Sequence, residues 1–163
     1  EQIAGNDVFR YIQSNAKLYG GEAGIHFHPH PLDWLHLESS FETVTGEKQN
    51  GDYLPFIPAN NWNNSLRAEF GIKNWLSNGF ATLNVSNTFN QNKVSGFETK
   101  SNGYTLVNLG LGGKIKLGKA AFDLNLNANN LLDKTYIAHL SRLKNDGIPN
   151  IGRNIILGLN FNI

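Results

Sequence analysis

The last eleven residues, Arg153–Ile163 (RNIILGLNFNI), decide the fold of this chain. From Ile155 onward every second residue is apolar, and the intervening positions hold Ile156, Gly158 and two asparagines. Successive side chains of a β-strand point to opposite faces, so this segment has one wholly apolar face and one mostly polar face. The pattern therefore predicts a β-strand whose two faces meet different surroundings.

The same alternation recurs in six segments upstream. In Phe122–Asn129, for example, Phe, Leu, Leu and Ala alternate with one aspartate and three asparagines. Seven strands are predicted, and the first of them is expected to begin between Tyr11 and residue 16. Their predicted spans are 16–28, 33–45, 63–74, 79–90, 103–117, 121–130 and 153–163.

Three features of these strands favour a membrane over water. No charged residue falls on the apolar face of any strand, and the segments are long enough for a tilted membrane strand of about ten residues. The opposite face carries few charges and much asparagine, which supplies 24 of the 163 residues although it is normally depleted in strands. A water-filled barrel lumen explains that composition. The alternative is a soluble β-sheet protein, because its half-buried strands also alternate.

The connections between the predicted strands alternate between short and long. Those at 28–32, 74–78 and 118–120 are tight, whereas Gly46–Trp62, Gln91–Asn102 and Leu131–Gly152 are long. Outer-membrane barrels have short periplasmic turns and long extracellular loops, so the last strand is expected to run toward the periplasm, ending at Ile163. Outward aromatic residues then form two girdles, an inner one of Phe27, Phe122 and Phe161 and an outer one of Tyr19, Phe41 and Phe89.

Composition excludes several other classes of protein. The chain has no cysteine, which excludes disulfides and thiolate metal sites. It contains no run of about 18 apolar residues, which excludes a membrane helix. Its formal net charge is +1. The charge balance therefore does not suggest a nucleic-acid partner.

A single-chain up-and-down barrel normally has an even number of strands. We therefore expect the seven strands to be part of a larger barrel.

Four motifs resemble those of TonB-dependent receptors, in the order in which that family has them. Leu18–His36 (LYGGEAGIHFHPHPLDWLH) is similar to the family's entry into its last strands, and Leu54–Ala59 (LPFIPA) is similar to its L-P-x-I-P segment. Asn129–Tyr136 (NNLLDKTY) resembles N-L-F-D-K-x-Y, with Leu132 in place of the usual Phe. His139–Lys144 (HLSRLK), followed by Gly147–Arg153 (GIPNIGR), resembles the loop leading into the final strand.

This resemblance implies both a fold and a function. The fold would be an all-β, antiparallel, up-and-down transmembrane barrel segment, with 1–163 as the C-terminal part of a 22-stranded type of barrel whose N-terminal plug domain lies outside this chain. The function would be uptake of a siderophore, haem, cobalamin or glycan across the bacterial outer membrane. The implied partners are lipid, the plug, the TonB complex and that ligand. Two other functions stay open, a small outer-membrane structural or adhesion barrel and a soluble carbohydrate-binding β-sandwich.

Few residues are candidates for a chemical site. We expect that the protein is not an enzyme and that it has no catalytic residue and no cofactor. His26 and His28 lie on one face of the first strand in a cluster with His30 and His36, so they are the candidates for a metal, although packing against the plug explains them as well. The long loops hold aromatic and cationic residues that could meet a ligand from outside. These candidates are Trp62, Tyr136, His139, Arg142 and Arg153.

Overall fold

A computed structural model of the protein describes residues 2–3, 6–7, 13–118 and 120–161. Two short strands, β1 (Gln2–Ile3) and β2 (Asn6–Asp7), form a small antiparallel pair that the alternation did not predict. Tyr11 and Ile163 lie outside the described residues. Seven longer strands follow: β3 (Ala16–Phe27), β4 (Leu35–Lys48), β5 (Asn61–Ile72), β6 (Leu76–Thr88), β7 (Tyr104–Leu117), β8 (Ala120–Asn129) and β9 (Asn154–Phe161).

The seven longer strands form one antiparallel sheet in which each strand pairs with its neighbours in the chain, from β3 to β9. This confirms the predicted up-and-down order and the seven predicted strands. The boundaries differ most around the first long loop, where β4 continues to Lys48 and β5 already begins at Asn61. Within the described ranges, no helix is long and apolar enough to cross a membrane.

The register of the strands joins their apolar positions into continuous rows. Near the middle of the sheet, one row runs across all seven strands through Phe27, Leu37, Leu66, Leu83, Leu109, Ala128 and Ile155. The row next to it, on the other face, runs through His26, Glu38, Ser65, Asn84 and Asn108. The sheet therefore has one apolar and one polar face, as predicted.

The apolar face of this sheet is not covered by protein. The described part of the chain contains no buried hydrophobic residue, and Ile25 and Leu157 are 72% and 63% exposed. A β-sandwich would bury this face against a second sheet, but the long strands form a single sheet. The sandwich alternative is therefore wrong, and this face needs an apolar environment from outside the chain.

The pairing between β5, β6 and β7 is irregular near one end of the sheet. The register shifts between Phe70 and Ile72 on one side of β6 and between Ser77 and Phe80 on the other. The structure places the ring of Phe80 on the polar face, with its centroid 4.3 Å from the guanidinium carbon of Arg67. Gly112 makes room for that ring, because a Cβ there would lie 2.6 Å from it.

Short and long connections lie at opposite ends of the sheet. At one end are residues 28–34 and 73–75 and the turn at Gly118, where Asn74 and Gly118 have positive φ angles of 76° and 63°. At the other end are loops 49–60, 89–103 and 130–153. We call these the turn end and the loop end. The alternation predicted from the sequence is confirmed.

Candidate functional site

The three long loops pack together over the loop end of the sheet, and Glu98 is their common anchor. One carboxylate oxygen of Glu98 accepts a hydrogen bond from the backbone N–H of Phe56 at 3.0 Å. The other accepts from the backbone N–H and the hydroxyl of Ser95, at 3.1 and 2.8 Å. Burial alone would raise the pKa of Glu98, but these hydrogen bonds outweigh it and hold the pKa below its usual value.

His139 reaches Glu98 from the third loop. The side chain is 4% exposed, and its Nε2 lies 3.8 Å from Glu98 Oε1. Its Nδ1 lies 2.8 Å from Ser101 Oγ and 3.1 Å from Lys144 Nζ, both of which can donate to it. Burial, followed by the charge of Lys144, lowers the pKa of His139. At neutral pH this favours the uncharged ring, and since Nδ1 faces the ammonium donor of Lys144, the proton belongs on Nε2. The ring is held between loops, whereas the sequence analysis expected it to face a ligand.

Gln91 joins the first two loops. Its side-chain amide donates to the carbonyls of Ile57 and Pro58 at 3.0 and 2.9 Å, and its Oε1 accepts from the backbone of Lys93 at 3.0 Å. Its own backbone pairs with that of Ser101 in both directions. Gln91 is 6% exposed, so it works as a buried clamp. The sequence analysis did not identify it, because no local pattern distinguishes it from the other polar residues of the loop.

The base of loop 130–153 is closed by two side chains from the NNLLD segment. Asn130 accepts from the backbone N–H of Lys134 and donates to its carbonyl, at 2.8 and 2.9 Å. Asp133 accepts from the backbone N–H of Arg153 at 2.9 Å and lies 3.8 Å from its guanidinium group. Arg153, expected to face a ligand, is thus engaged at the base of the loop. Arg142 lies exposed on the same loop.

Tyr136, another predicted ligand contact, lies in a groove on the loop end. Its ring centroid is 4.4 Å from that of Tyr104, and burial together with that neighbour raises the pKa of Tyr136. The groove measures about 530 Å³, and three lysines line it, Lys100, Lys134 and Lys144. These residues come from three separate segments of the chain, so the sequence analysis found only Tyr136 among them.

Trp62 is not in a loop, which corrects its predicted position. It lies in β5 opposite Phe41 of β4, on the apolar face, and its indole N–H donates to Ser39 Oγ at 2.9 Å. Phe41 also packs against Phe89, with ring centroids 6.1 Å apart. Trp62 therefore extends the predicted outer aromatic girdle, where an apolar ring with a polar edge suits the border of a membrane.

The predicted metal candidates lie at the turn end, on the polar face. His26 is in β3 and His28 follows that strand directly, and the structure adds His36 of β4 to them. One ring nitrogen of each lies within 4.8 Å of one from each of the others. His30 points elsewhere, with Nδ1 3.7 Å from Asp33.

Comparison with known proteins agrees with this architecture. Residues 2–131 match the family described as TonB dependent receptor-like, beta-barrel, which is about four fifths of the chain. The solved structure of the copper transporter OprC superposes on 90% of this chain with a TM-score of 0.72 and 22% sequence identity. The chain spans only 23% of that protein's length, and a likeness at this identity concerns the fold alone. On the family match, this chain belongs to the TonB-dependent receptor-like β-barrel family of the bacterial outer membrane.

Proposed function

We propose that the chain supplies seven wall strands and three outer loops of a receptor that imports a ligand with energy from the TonB complex. The observation that carries this proposal is the sheet itself, apolar and uncovered on one face and rich in asparagine on the other. Lipid would cover the first face, and a hydrated lumen with a plug domain would meet the second. The packed loops would lie outside the cell, where a ligand first arrives.

A larger barrel is the form in which such a sheet can sit in lipid. In the described part of the chain, β3 and β9 are the two edges of the sheet and do not pair with each other. Unpaired backbone groups cost several kcal/mol each in hydrocarbon. Strands from elsewhere in the receptor would satisfy them, up to the 22 that the resemblance implies. The superposition on a quarter of a larger transporter supports this over a small eight-stranded structural or adhesion barrel.

The groove at the loop end favours an anionic ligand that carries flat rings. Three lysines supply positive charge, and Tyr104 and Tyr136 supply aromatic faces. Of the ligand classes that the resemblance implies, ferric catecholate siderophores and haem carry both negative charge and rings, whereas cobalamin and neutral glycans do not offer several negative charges. The copper in the name of OprC is not carried over, because that likeness shows the fold alone.

Binding to the intact receptor in detergent tests this ligand class. The probes are haemin, followed by its Soret band, and the ferric complex of a tricatecholate, followed by quenching of tryptophan fluorescence. We expect the double variant Lys100→Gln/Lys134→Gln to bind one of these probes roughly tenfold more weakly. Each exposed charge pair contributes about 1 kcal/mol or less, and two of them together account for that factor. Lys93→Gln removes a loop lysine outside the groove and should bind like the wild type.

Uptake by cells tests the transport role separately. Accumulation of radioactive iron from the bound complex should require both the receptor and TonB. If neither probe binds, the ligand class is wrong, while the membrane role still rests on the sheet. If a probe binds and its uptake does not depend on TonB, the transport mechanism is wrong.

A further inference from the structure

We propose that His26, His28 and His36 form a binding site for a borderline divalent metal ion such as Zn²⁺, Cu²⁺ or Ni²⁺, at the turn end of the polar face. A ring nitrogen from each lies within 4.8 Å of one from the other two. The ring centroid of His28 lies 4.3 Å from the ring centroid of His26 and 4.3 Å from that of His36. This site is separate from the ligand groove, which lies at the opposite end of the sheet.

The strand pairing holds the three imidazoles together. His26 and His28 are two residues apart and so point to the same face, while His26 pairs directly with Glu38, two residues after His36. His36 in turn pairs with Arg67 of β5, so β4 is fixed on both sides. The backbone positions of His26 and His36 are therefore set by the sheet, and His28 lies one residue beyond the paired end of β3.

The side-chain adjustments that a metal ion requires are small. Tetrahedral coordination with metal–nitrogen bonds of about 2.0–2.1 Å places ligand nitrogens about 3.3 Å apart. The ring nitrogens now lie within 4.8 Å of one another, so each must move by about 1 Å to reach this spacing. Rotation of the histidine rings can supply such a shift. Three imidazoles suit zinc, copper and nickel, and they leave one position for water or another ligand.

The charges around the cluster favour a cation. Glu38 Oε1 lies 3.4 Å from His26 Nε2, and Glu69 Oε1 lies 3.9 Å from His36 Nε2. A carboxylate on the free nitrogen of a metal-bound imidazole orients the ring and strengthens it as a ligand, which is the place of Glu38 if His26 binds the metal through Nδ1. Glu69 faces the same nitrogen of His36 that lacks a hydrogen-bond partner, so it adds negative charge beside the metal position. Arg67 lies beside Glu69, donates a hydrogen bond to it at 2.9 Å, and stacks on the Phe80 ring. Glu38 and Glu69 therefore bring two negative charges to the cluster, and Arg67 neutralises only Glu69.

His36 shows the clearest sign of a missing partner. Its Nε2 is buried and has no hydrogen-bond partner among the described residues. A buried polar atom left without a partner costs free energy. A metal ion would satisfy it, whereas simple stacking of the three rings would not. Packing against another part of the receptor is the competing explanation, and the choice of variants below separates it from metal binding.

The test uses the intact receptor in detergent, purified without a histidine tag and stripped with a chelator. Bound Zn²⁺ and Cu²⁺ are counted by atomic emission after equilibrium dialysis, and the copper signal is examined by electron paramagnetic resonance for nitrogen ligands. We expect one equivalent to be lost in His26→Gln, His28→Gln and His36→Gln. His30→Gln removes a neighbouring histidine of the same turn that lies outside the cluster, and it should keep that equivalent. Heat-modifiability on gels verifies that every variant is folded.

The glutamate beside the cluster gives a second measurement. Glu38→Gln should weaken metal binding by about 10- to 100-fold without removing a ligand. Retention of the full equivalent in the folded His28→Gln/His36→Gln double variant would overturn the proposal, as would an equal loss in His30→Gln. Binding of haemin or the tricatecholate complex is measured on the same variants. A loss of that ligand binding alone would not be evidence for the metal site.

Discussion

Asp133 accepts a hydrogen bond from the backbone N–H of Arg153 at 2.9 Å, across the two ends of loop 130–153. The guanidinium of Arg153 lies 3.8 Å from the second carboxylate oxygen, and both side chains are about half exposed. An exposed ion pair of this kind contributes little, about 0–1 kcal/mol. The backbone hydrogen bond is therefore the part of the contact that holds the loop closed.

Replacing Asp133 should loosen the loop more than replacing Arg153. Asp133→Ala removes the acceptor and should lower the free energy of loop opening by roughly 1 kcal/mol, since it deletes one hydrogen bond. Trypsin cleavage at Arg142 and Lys144 of the folded receptor should then be about fivefold faster. Asp133→Asn keeps an acceptor and serves as the control. Faster cleavage in Arg153→Ala than in Asp133→Ala would show that the ion pair matters more.

The two faces of the sheet can be compared at adjacent residues of β6. Leu83 lies on the apolar face between Leu66 and Leu109, and Asn84 lies on the polar face between Ser65 and Asn108. Leu83→Arg should destabilise the folded barrel by roughly 2–4 kcal/mol, because it places a charge near the middle of the bilayer. Asn84→Arg should be tolerated, because its charge enters the lumen. Urea titration of the receptor refolded into lipid vesicles measures both, and equal losses would refute the assignment of the faces.

The strands and their faces were predictable because period-two alternation is a local signal that each strand repeats. The end of β4 was not. Gly46 was taken as the start of a loop, but it stays in the strand and packs beneath that loop, where an added Cβ would lie 2.9 Å from the side chain of Leu54. Trp62 was placed in a loop for the same reason, since its polar neighbours hid its pairing with Phe41.

The chemistry of the loop end was predicted less well, because it depends on contacts between distant segments. His139 was expected to face a ligand, yet its burial comes from Ser101 and Glu98, 38 and 41 positions earlier in the chain. Asp133 lies just beyond the end of β8, and its partner Arg153 is 20 positions later in the chain. The histidine cluster was predicted in part. The i, i+2 spacing identified His26 and His28 as metal candidates, and the strand pairing was needed to add His36 to them.

The burial of His139 beside Lys144 should make the loop end sensitive to acid. The pKa of His139 lies below its ordinary value of 6.5 in the folded protein, so the folded loops bind a proton less readily than unfolded ones. The stabilisation is therefore fully present above pH 6.5 and is lost as the pH falls below that value toward the folded pKa. The lowered pKa of Glu98 adds a further loss below its ordinary value of 4.5.

Hydrogen exchange of the intact receptor measures this dependence. The backbone N–H groups of Phe56 and Ser95, which donate to Glu98, should lose protection between pH 7 and 5.5 after correction for the intrinsic rate of exchange. In His139→Gln the change over this interval should vanish, because no imidazole titrates there. An unchanged pH profile in that variant would assign the acid sensitivity to another group.

The last prediction concerns the amide of Gln91, which donates to the carbonyls of Ile57 and Pro58. Gln91→Glu has nearly the same shape, but it replaces the donor by a carboxylate oxygen facing two acceptors. Because Gln91 is a buried residue, 6% exposed, water cannot relieve the repulsion, and the contact between the two loops should weaken by at least about 2 kcal/mol. Asn92→Asp introduces the same charge at the exposed neighbour and is the matched control. Trypsin cleavage at Lys93 and Lys100 reports the opening of this loop, and we expect it to be roughly thirtyfold faster in Gln91→Glu and unchanged in Asn92→Asp. If the two variants are cleaved at the same rate, loss of the Gln91 donor does not open the loop, and Gln91 does not join the two loops as we infer.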